Sequence, residues 1–343
     1  MKLSPIETKE FKRYTERYPF LPYIKDKTFL ITGGNGMTGS GIIRWLLYEN
    51  AVHDANCRIF ASTRHYQNRP DYVGADDNVV MCRFGTESRS IGMEKIDYII
   101  HAAAPTGRKF FITKPVETLR VIVDETEKML DLAREKDAQM IYLSSVEAYG
   151  IPNTDAPIKE DYVGAVDSLD IRNGYPMGKK AAEFLCYAMN KEYSVNVRIV
   201  RLSSIQGLLQ PYDEQRIFNE ILRCVVEGKN LIMKSDGLSK KSIVYSLDAI
   251  SGIFTALFRG LPGEAYNITN PSTYMTMRDL AQYIFERFAP DLQIDFEKED
   301  TSKTGYLPHL AFTQDITKLR QLGWEPVSDL AHIYKTDLTR FGG

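Results

Sequence analysis

Tyr175 and Lys179 lie four residues apart in Tyr175-Pro176-Met177-Gly178-Lys179, where an apolar-periodic segment, Lys180-Ala181-Ala182-Glu183-Phe184-Leu185, begins. An i, i+4 pair shares one face of a helix. A phenol with a pKa of about 10 is a poor base at neutral pH, but a nearby ammonium favours its phenolate. Such a tyrosine could take a proton from a hydroxyl as hydride leaves the carbon that bears it. The same two residues also fit an amphipathic helix with one buried Tyr and one solvated Lys, and the pattern alone leaves both readings open. A second polar group lies in Tyr142-Leu143-Ser144-Ser145-Val146-Glu147-Ala148-Tyr149-Gly150. Ser145 could hydrogen-bond a reacting hydroxyl and Glu147 could move a proton on a neighbouring carbon. A plain polar strand-to-loop boundary fits this segment too.

These groups need a platform, and the chain supplies one at Thr32-Gly33-Gly34-Asn35-Gly36-Met37-Thr38-Gly39. An apolar run, 28–31, precedes this segment, and apolar residues at helical spacing follow it. Glycines spaced by two residues therefore fall at a strand-to-helix turn. Gly33 suits the tight turn, Gly36 a close approach of backbone to a pyrophosphate, and Gly39 close packing of helix on strand. From residue 27 to about 207 strands and helices alternate: strands at 28–32, 57–63, 78–84, 96–102, 139–145 and 195–203, helices at 39–50, 116–136 and 175–193. That alternation predicts an α/β fold, a Rossmann-type doubly wound parallel sheet. Ser145 then falls at the carboxyl end of a strand, where such sheets bind ligands.

The pattern loosens beyond 207. Helices are expected at 214–228, 248–259 and 276–288, with short strands at 230–234, 264–269 and 292–297. These pieces are too small for a separate core and read as a smaller mixed α/β lobe over 208–343, parts of which could return to the first domain. Residues 1–26 read as an arm rich in charge and aromatics that covers an apolar patch of its own subunit, with contact to a second subunit as the alternative.

Composition narrows the partners. With 43 Lys plus Arg against 45 Asp plus Glu, the net charge of −2 gives no general attraction to nucleic acid or anionic membrane. No apolar run reaches the ~18 residues of a membrane span, and the first residues lack the apolar core of a signal peptide. The four cysteines are scattered without metal-ligand spacing, which suits buried thiols in a reducing cytoplasm and predicts no metal site.

Together these motifs resemble the extended short-chain dehydrogenase/reductase superfamily, and within it the nucleotide-sugar epimerase/dehydratase branch. The resemblance covers nearly all of 27–338. It rests on the glycine motif, His101-Ala102-Ala103-Ala104, Ser144 to Gly150, and Tyr175 with Lys179. Arg201-Leu202-Ser203-Ser204-Ile205-Gln206-Gly207, Gly237-Leu238-Ser239-Lys240-Lys241-Ser242, Tyr245-Ser246-Leu247-Asp248-Ala249, Tyr266-Asn267 and Leu322-Gly323-Trp324-Glu325-Pro326 match as well. It implies Tyr175 as base, Lys179 as its activator and a ribose ligand, Ser145 as partner of the substrate hydroxyl, and Glu147 as the intermediate proton carrier. Gly33, Gly36, Met37, Thr38, Gly39, Arg64 and Ala102 to Ala104 would join Tyr175 and Lys179 around a nicotinamide dinucleotide. Arg216, Asn219 and Lys241 would hold a nucleoside-diphosphate sugar.

Three departures from the family pattern matter. The 4,6-dehydratases usually carry an Asp where this chain has Val146, which counts against ordinary 4,6-dehydration. Lys241 replaces an arginine, keeping charge but losing bidentate geometry. The second strand ends Ala61-Ser62-Thr63-Arg64-His65 without the acidic residue common in NAD-specific folds. Arg64 fits a 2′-phosphate of NADP or the adenine of NAD, so the cofactor is NAD or NADP. The implied reaction passes through a 4-keto sugar and ends in epimerisation, dehydration or decarboxylation. The alternatives are an NADPH-dependent reductase of a keto sugar or other small carbonyl compound, and a non-catalytic dinucleotide sensor. The resemblance also implies a homodimer built on 116–136 and 175–193; Leu119, Val123, Met129 and Leu132 are the apolar residues of the first helix, and an intramolecular core face explains them as well.

Overall fold

The computed structural model describes residues 3–63, 70, 72, 76–83, 95–105, 107–152, 154, 156–297 and 311–342. Its centre is a seven-stranded sheet with the strand order β3-β2-β1-β4-β5-β6-β11. The strands are β1 Thr28–Thr32, β2 Arg58–Thr63, β3 Val79–Arg83, β4 Tyr98–His101, β5 Gln139–Ser145, β6 Val197–Leu202 and β11 Ala265–Ile268. Every neighbouring pair is parallel, from Phe29 beside Ile59 and Tyr98 to Tyr266 beside Val200. Layers on both faces bury such strands from both sides, so they read as continuous apolar runs. β1 is buried along Phe29, Leu30, Ile31 and Thr32.

Helices α3 (Met37–His53), α5 (Pro115–Lys136) and α6 (Gly174–Tyr193) are the crossovers, and the short α4 (Arg108–Thr113) precedes α5. Each of the three long ones ends one residue before a left-handed residue: Asp54, Asp137 and Ser194. The reversal at α6 shows how: Ser194 at φ 58° turns its N–H back to Asn190 and Met189 carbonyls, which closes the last helical turn. α5 and α6 pack on one another on one side of the sheet.

Two pieces expected within the lobe return to the first domain. The strand expected at 264–269 among the lobe pieces is β11, and it completes the edge of the main sheet beside β6. Helix α8 (Ser246–Arg259) likewise lies against the sheet and is buried from Ser246 to Leu257. The remaining pieces are β7 (Ser204–Gln206) paired with β10 (Ile243–Tyr245), β8 (Leu231–Met233) with β13 (Ile294–Phe296), and β9 (Lys240–Lys241) with β12 (Met275–Thr276). Helices α7 (Ile217–Glu227) and α9 (Met277–Phe288) accompany them.

The N-terminal arm carries two helices: α1 spans Pro5–Arg17 and α2 Leu21–Ile24. The signal for α1 is a capping box. Glu7 N–H donates to Ser4 Oγ at 3.3 Å, and Ser4 N–H donates to Glu7 Oε2 at 2.8 Å. Phe11, Tyr14, Tyr18 and Phe20 enter the core, where Phe20 meets Trp45 and Phe254 with ring centroids 6.1 and 5.8 Å away.

Candidate active site

The glycine turn has the close packing its spacing predicts. Gly33 adopts φ +71°, and a Cβ there would meet the Ala102 carbonyl carbon at 3.1 Å. Gly39 lies over the turn itself: a Cβ would stand 2.3 Å from the Gly33 carbonyl oxygen. The Gly36 N–H donates to that oxygen at 2.8 Å, closing the turn. Gly36 is the N-cap of α3 and offers no side-chain cap to the first N–H groups, those of Met37, Thr38 and Gly39. These donors, the helix dipole and a cradle without side chains fit the pyrophosphate of a dinucleotide.

Next to the turn, the end of β4 is tied down by a directed chain of hydrogen bonds. Ala103 N–H donates to Thr32 Oγ1 at 3.1 Å, and Thr32 Oγ1 lies 2.7 Å from His101 Nδ1. His101 Nε2 lies 3.2 Å from Thr126 Oγ1, which donates to the Ile122 carbonyl at 2.6 Å. With Thr126 spending its proton on Ile122, His101 Nε2 must carry a proton, and Nδ1 accepts from Thr32. Burial, helped by the charge of Lys179, lowers the His101 pKa to about 3, so the ring stays neutral. The chain sets Ala102 to Ala104 against Gly33. The sequence reading quoted His101 in a motif and gave it no role; its signal was a histidine closing a buried apolar strand.

The acid–base groups meet at the end of β5. Ser145 caps the short 3₁₀ turn Val146–Tyr149, accepting the Glu147 N–H at 3.2 Å. Tyr175, in the first turn of α6, is 8% exposed and stacks on Phe111 of α4 with ring centroids 4.5 Å apart and planes 13° apart. Burial raises its pKa well above the ordinary phenol range and the Glu147 charge adds to this, while a hydrogen bond with Ser145 and the charge of Arg216 pull it down. Ser145, Glu147 and Arg216 therefore all act on Tyr175.

Lys179 is 2% exposed, a turn further along α6. Its Nζ donates to the Leu143 carbonyl at 2.7 Å and lies 4.7 Å from the Tyr142 ring centroid and 5.8 Å from that of Tyr175. Burial lowers its pKa to about 7, against the pull of Glu183 and Cys186. The solvated Lys of the plain amphipathic-helix reading is therefore not what the structure shows: Lys179 is buried beside Tyr175. In the protein by itself, desolvation dominates both groups and weakens both charged forms.

Two residues near the pair were absent from the sequence reading as site groups, Glu183 and Arg201. Glu183 follows Lys179 by four residues, so an Lys-to-Glu i, i+4 step was its signal.

The lobe residues are spread more widely. Arg216 is the N-cap of α7 and pairs with Glu214 Oε2 at 3.4 Å. Asn219 is buried in α7; its Nδ2 donates to the Pro211 carbonyl at 2.8 Å and its Oδ1 has no hydrogen-bond partner. Lys241 is half-buried in β9, opposite Met275. Arg64 lies outside the described residues. Of the apolar α5 residues, Met129 and Leu132 belong to the subunit's own core, Val123 is half-buried and Leu119 is 41% exposed. Met129 and Leu132 thus follow the intramolecular reading of the stripe, because the α5 face that carries them packs inward. Among the described residues, no His/Cys/Asp/Glu group could hold a metal ion, and no helix is long and apolar enough to cross a membrane. The four cysteines are thiols.

A parallel sheet in this strand order, a glycine turn before α3, and Ser145, Tyr175 and Lys179 at the end of β5 define an extended short-chain dehydrogenase/reductase. A family model described as the NAD dependent epimerase/dehydratase family matches residues 29–269, and the chain belongs to that family. UDP-glucuronic acid decarboxylase 1 of Danio rerio is 27% identical over 323 residues, covering 92% of this chain and 74% of the relative. UDP-glucuronic acid decarboxylase 5 of Arabidopsis thaliana is 29% identical over 299 residues, covering 87% and 84%. Among solved structures, UDP-glucose 4-epimerase of Thermotoga maritima superposes with a TM-score of 0.78 at 18% identity, covering 92% of this chain and 98% of that one. UDP-glucuronic acid 4-epimerase of Bacillus cereus, solved with NAD, gives 0.77 at 19% identity, with the same coverage. These structures share the fold.

Proposed function

We propose that the protein converts a nucleoside-diphosphate sugar through a 4-keto sugar, and that the change made is loss of the carboxylate of a uronic acid. The observation that carries this reading is the convergence of Ser145, Glu147, Tyr175 and Lys179 at the carboxyl end of β5, beside the glycine turn. A nicotinamide dinucleotide held on the glycine turn would supply the acceptor, and later the donor, of the C4 hydride. Tyr175 takes the proton of the C4 hydroxyl, with Ser145 holding that oxygen. Because burial disfavours the phenolate, the charge of Lys179 is needed at that moment. The C4 carbonyl then makes C5–C6 cleavage possible. The C5–C6 electron pair enters the C4–C5 enolate and carbon dioxide leaves; Glu147 relays a proton taken up from solvent to C5, and Tyr175 gives its proton back to the C4 oxygen as the hydride returns. The lobe covers the site and keeps water from the keto sugar.

Val146 supports decarboxylation over 4,6-dehydration, since it cannot transfer the proton that assists water loss. Glu147 supports it over simple 4-epimerisation, which needs no proton carrier there. The similarity to UDP-glucuronic acid decarboxylases points the same way. Arg216, whose charge reaches Tyr175, and Lys241 are the lobe cations assigned to an anionic substrate.

The test is incubation with a panel of UDP-, dTDP-, GDP- and CDP-sugars and their uronic acids, read by mass and proton NMR. Loss of carbon dioxide from one uronic acid, abolished in Tyr175→Phe, is expected. Unchanged mass with an inverted centre, or loss of water, overturns the decarboxylase assignment, and NADPH consumption without return replaces it with the reductase. A homodimer through α5 and α6 is part of the proposal. Val116 and Leu119 on α5 and Phe184 and Tyr187 on α6 are apolar and 41–71% exposed. Sedimentation velocity should give twice the mass of one chain, and a monomer at micromolar concentration rejects the dimer.

A further inference from the structure

Tyr175, Lys179 and Glu183 follow one another at four-residue steps along α6, and all three are less than a tenth exposed. Glu183 is the most heavily bonded of them. Ser144 Oγ donates to its Oε1 at 2.5 Å. Arg201 Nε donates to both carboxylate oxygens at 3.1 Å, and Arg201 Nη2 donates to Oε2 at 2.7 Å. Arg201 is held in turn: its Nη1 donates to the Glu160 carbonyl at 2.7 Å, and its guanidinium lies 4.5 Å from the Tyr149 ring centroid. One carboxylate thus joins the helix carrying Tyr175 and Lys179, the residue preceding Ser145 on β5, and β6.

We propose that Glu183 is a positioning residue of the reaction: clamped by Ser144 and Arg201, its carboxylate is the counter-ion that keeps Lys179 an ammonium beside Tyr175. This inference rests on the roles proposed above for Tyr175 and Lys179. The ionisable groups around Lys179 are Tyr175, Glu183 and Cys186 on α6, Tyr142 on β5 and His101 on β4, with Arg201 of β6 behind Glu183. Most of them carry no charge at neutral pH. Burial holds Tyr142, Tyr175 and Cys186 protonated and His101 neutral. Glu183 is then the anion left to answer the Lys179 charge. The Glu183 charge favours the ammonium of Lys179 and also that of Lys180, where Arg201 opposes it.

The measurement is a ¹³C NMR titration of the protein labelled at lysine Cε. The Lys179 signal is the one lost in Lys179→Met. Glu183→Gln keeps the size and an acceptor for Ser144 but removes the charge, and should shift the Lys179 midpoint down by about one pH unit. Arg201→Gln frees the carboxylate from its guanidinium and should shift the midpoint up; it decides the matter if Glu183→Gln does not fold. A role confined to stapling α6 to β6 lowers Tm in both variants and leaves both midpoints in place, and that result overturns the proposal. The titration needs neither sugar nor cofactor. A failed substrate panel therefore rejects the functional reading without touching this result, and the reverse also holds.

Discussion

Lys179 and Glu10 are buried to the same degree, 2% and 3% exposed, and the protein treats them in opposite ways. Glu10 lies where α1 meets β10 and the C-terminal helix Leu330–Phe341. His332 Nε2 lies 2.9 Å from its Oε2, to which Tyr245 Oη donates at 3.2 Å and Arg13 Nη1 at 3.4 Å. Burial alone would raise its pKa, but His332, Arg13 and Tyr245 more than offset this, and the net shift is downward. Lys179 has one carbonyl, two ring faces and a carboxylate a helical turn away, and burial wins. In the terminal belt a buried charge is fully answered and holds elements together. At the end of β5 it is left underanswered, so its proton is held weakly enough to respond to a ligand. Burial is common to both, and the supply of partners separates structure from chemistry.

Exchanging each group for a neutral one of similar size tests that contrast. Lys179→Met should reduce turnover by roughly 10²–10⁴-fold, the range of a lost acid–base function. It should nevertheless leave Tm at pH 6 unchanged or higher. The sign follows from the lowered pKa. Between about 7 and the ordinary lysine value the unfolded chain holds more protons than the folded one, so the burial cost is fully present below pH 7 and fades as pH rises through that window. The Tm advantage of the variant should therefore shrink by pH 9. Glu10→Gln should do the reverse: turnover per folded molecule unchanged, and about 2 kcal/mol lost as a few degrees of Tm, moderated because Arg13 and His332 are partly exposed. A lower Tm in Lys179→Met, or lost turnover in Glu10→Gln, breaks the comparison. Differential scanning calorimetry beside the substrate assay reads both.

The sequence showed these two regions unequally, for a physical reason. Motifs in which one residue type is sterically required were plain: no side chain fits at Gly39 against the Gly33 carbonyl, and the helical step from Tyr175 to Lys179 is local. The main strands are apolar on both sides, and β1 and β5 fall within the ranges expected. Long-range partnerships were not legible. Tyr14 Oη donates to Asp248 Oδ1 across 234 positions of chain, and Arg13 Nη2 to the Val327 carbonyl across 314; no periodicity encodes either. β11 was assigned to the lobe because its place beside β6 is set by the fold of everything between them. The capping box at Ser4 and Glu7 was readable, and it would have turned the arm into a helix. Net charge effects failed differently: spacing brought Lys179 to Tyr175, but the desolvation that governs both depends on a sheet and two helices closing over them.

The belt also holds an underanswered group, which makes the sharper test. Asp337, on the C-terminal helix, is fully buried; Gln206 Nε2 donates to its Oδ2 at 3.2 Å, and Oδ1 has no hydrogen-bond partner. Burial raises its pKa to about 7. The folded state therefore holds the proton more tightly than the unfolded chain between about pH 4 and 7, so the stability Asp337 contributes is present at low pH and lost as pH rises through 7. Asp248 behaves alike with a value of about 6, although the Val327 and Ser328 N–H groups and Tyr14 temper it. Asp337→Asn should leave Tm at pH 5 near the parent value and raise it at pH 8, by a degree or two for ~1 kcal/mol, flattening the decline of Tm with pH. NAD binding measured by calorimetry should not change. If binding weakens instead, an unpartnered charge in the belt reaches the site, and partner supply alone no longer divides the two regions. If Tm at pH 8 falls, Asp337 is ionised and answered in the folded protein, and the belt has no exception to its rule.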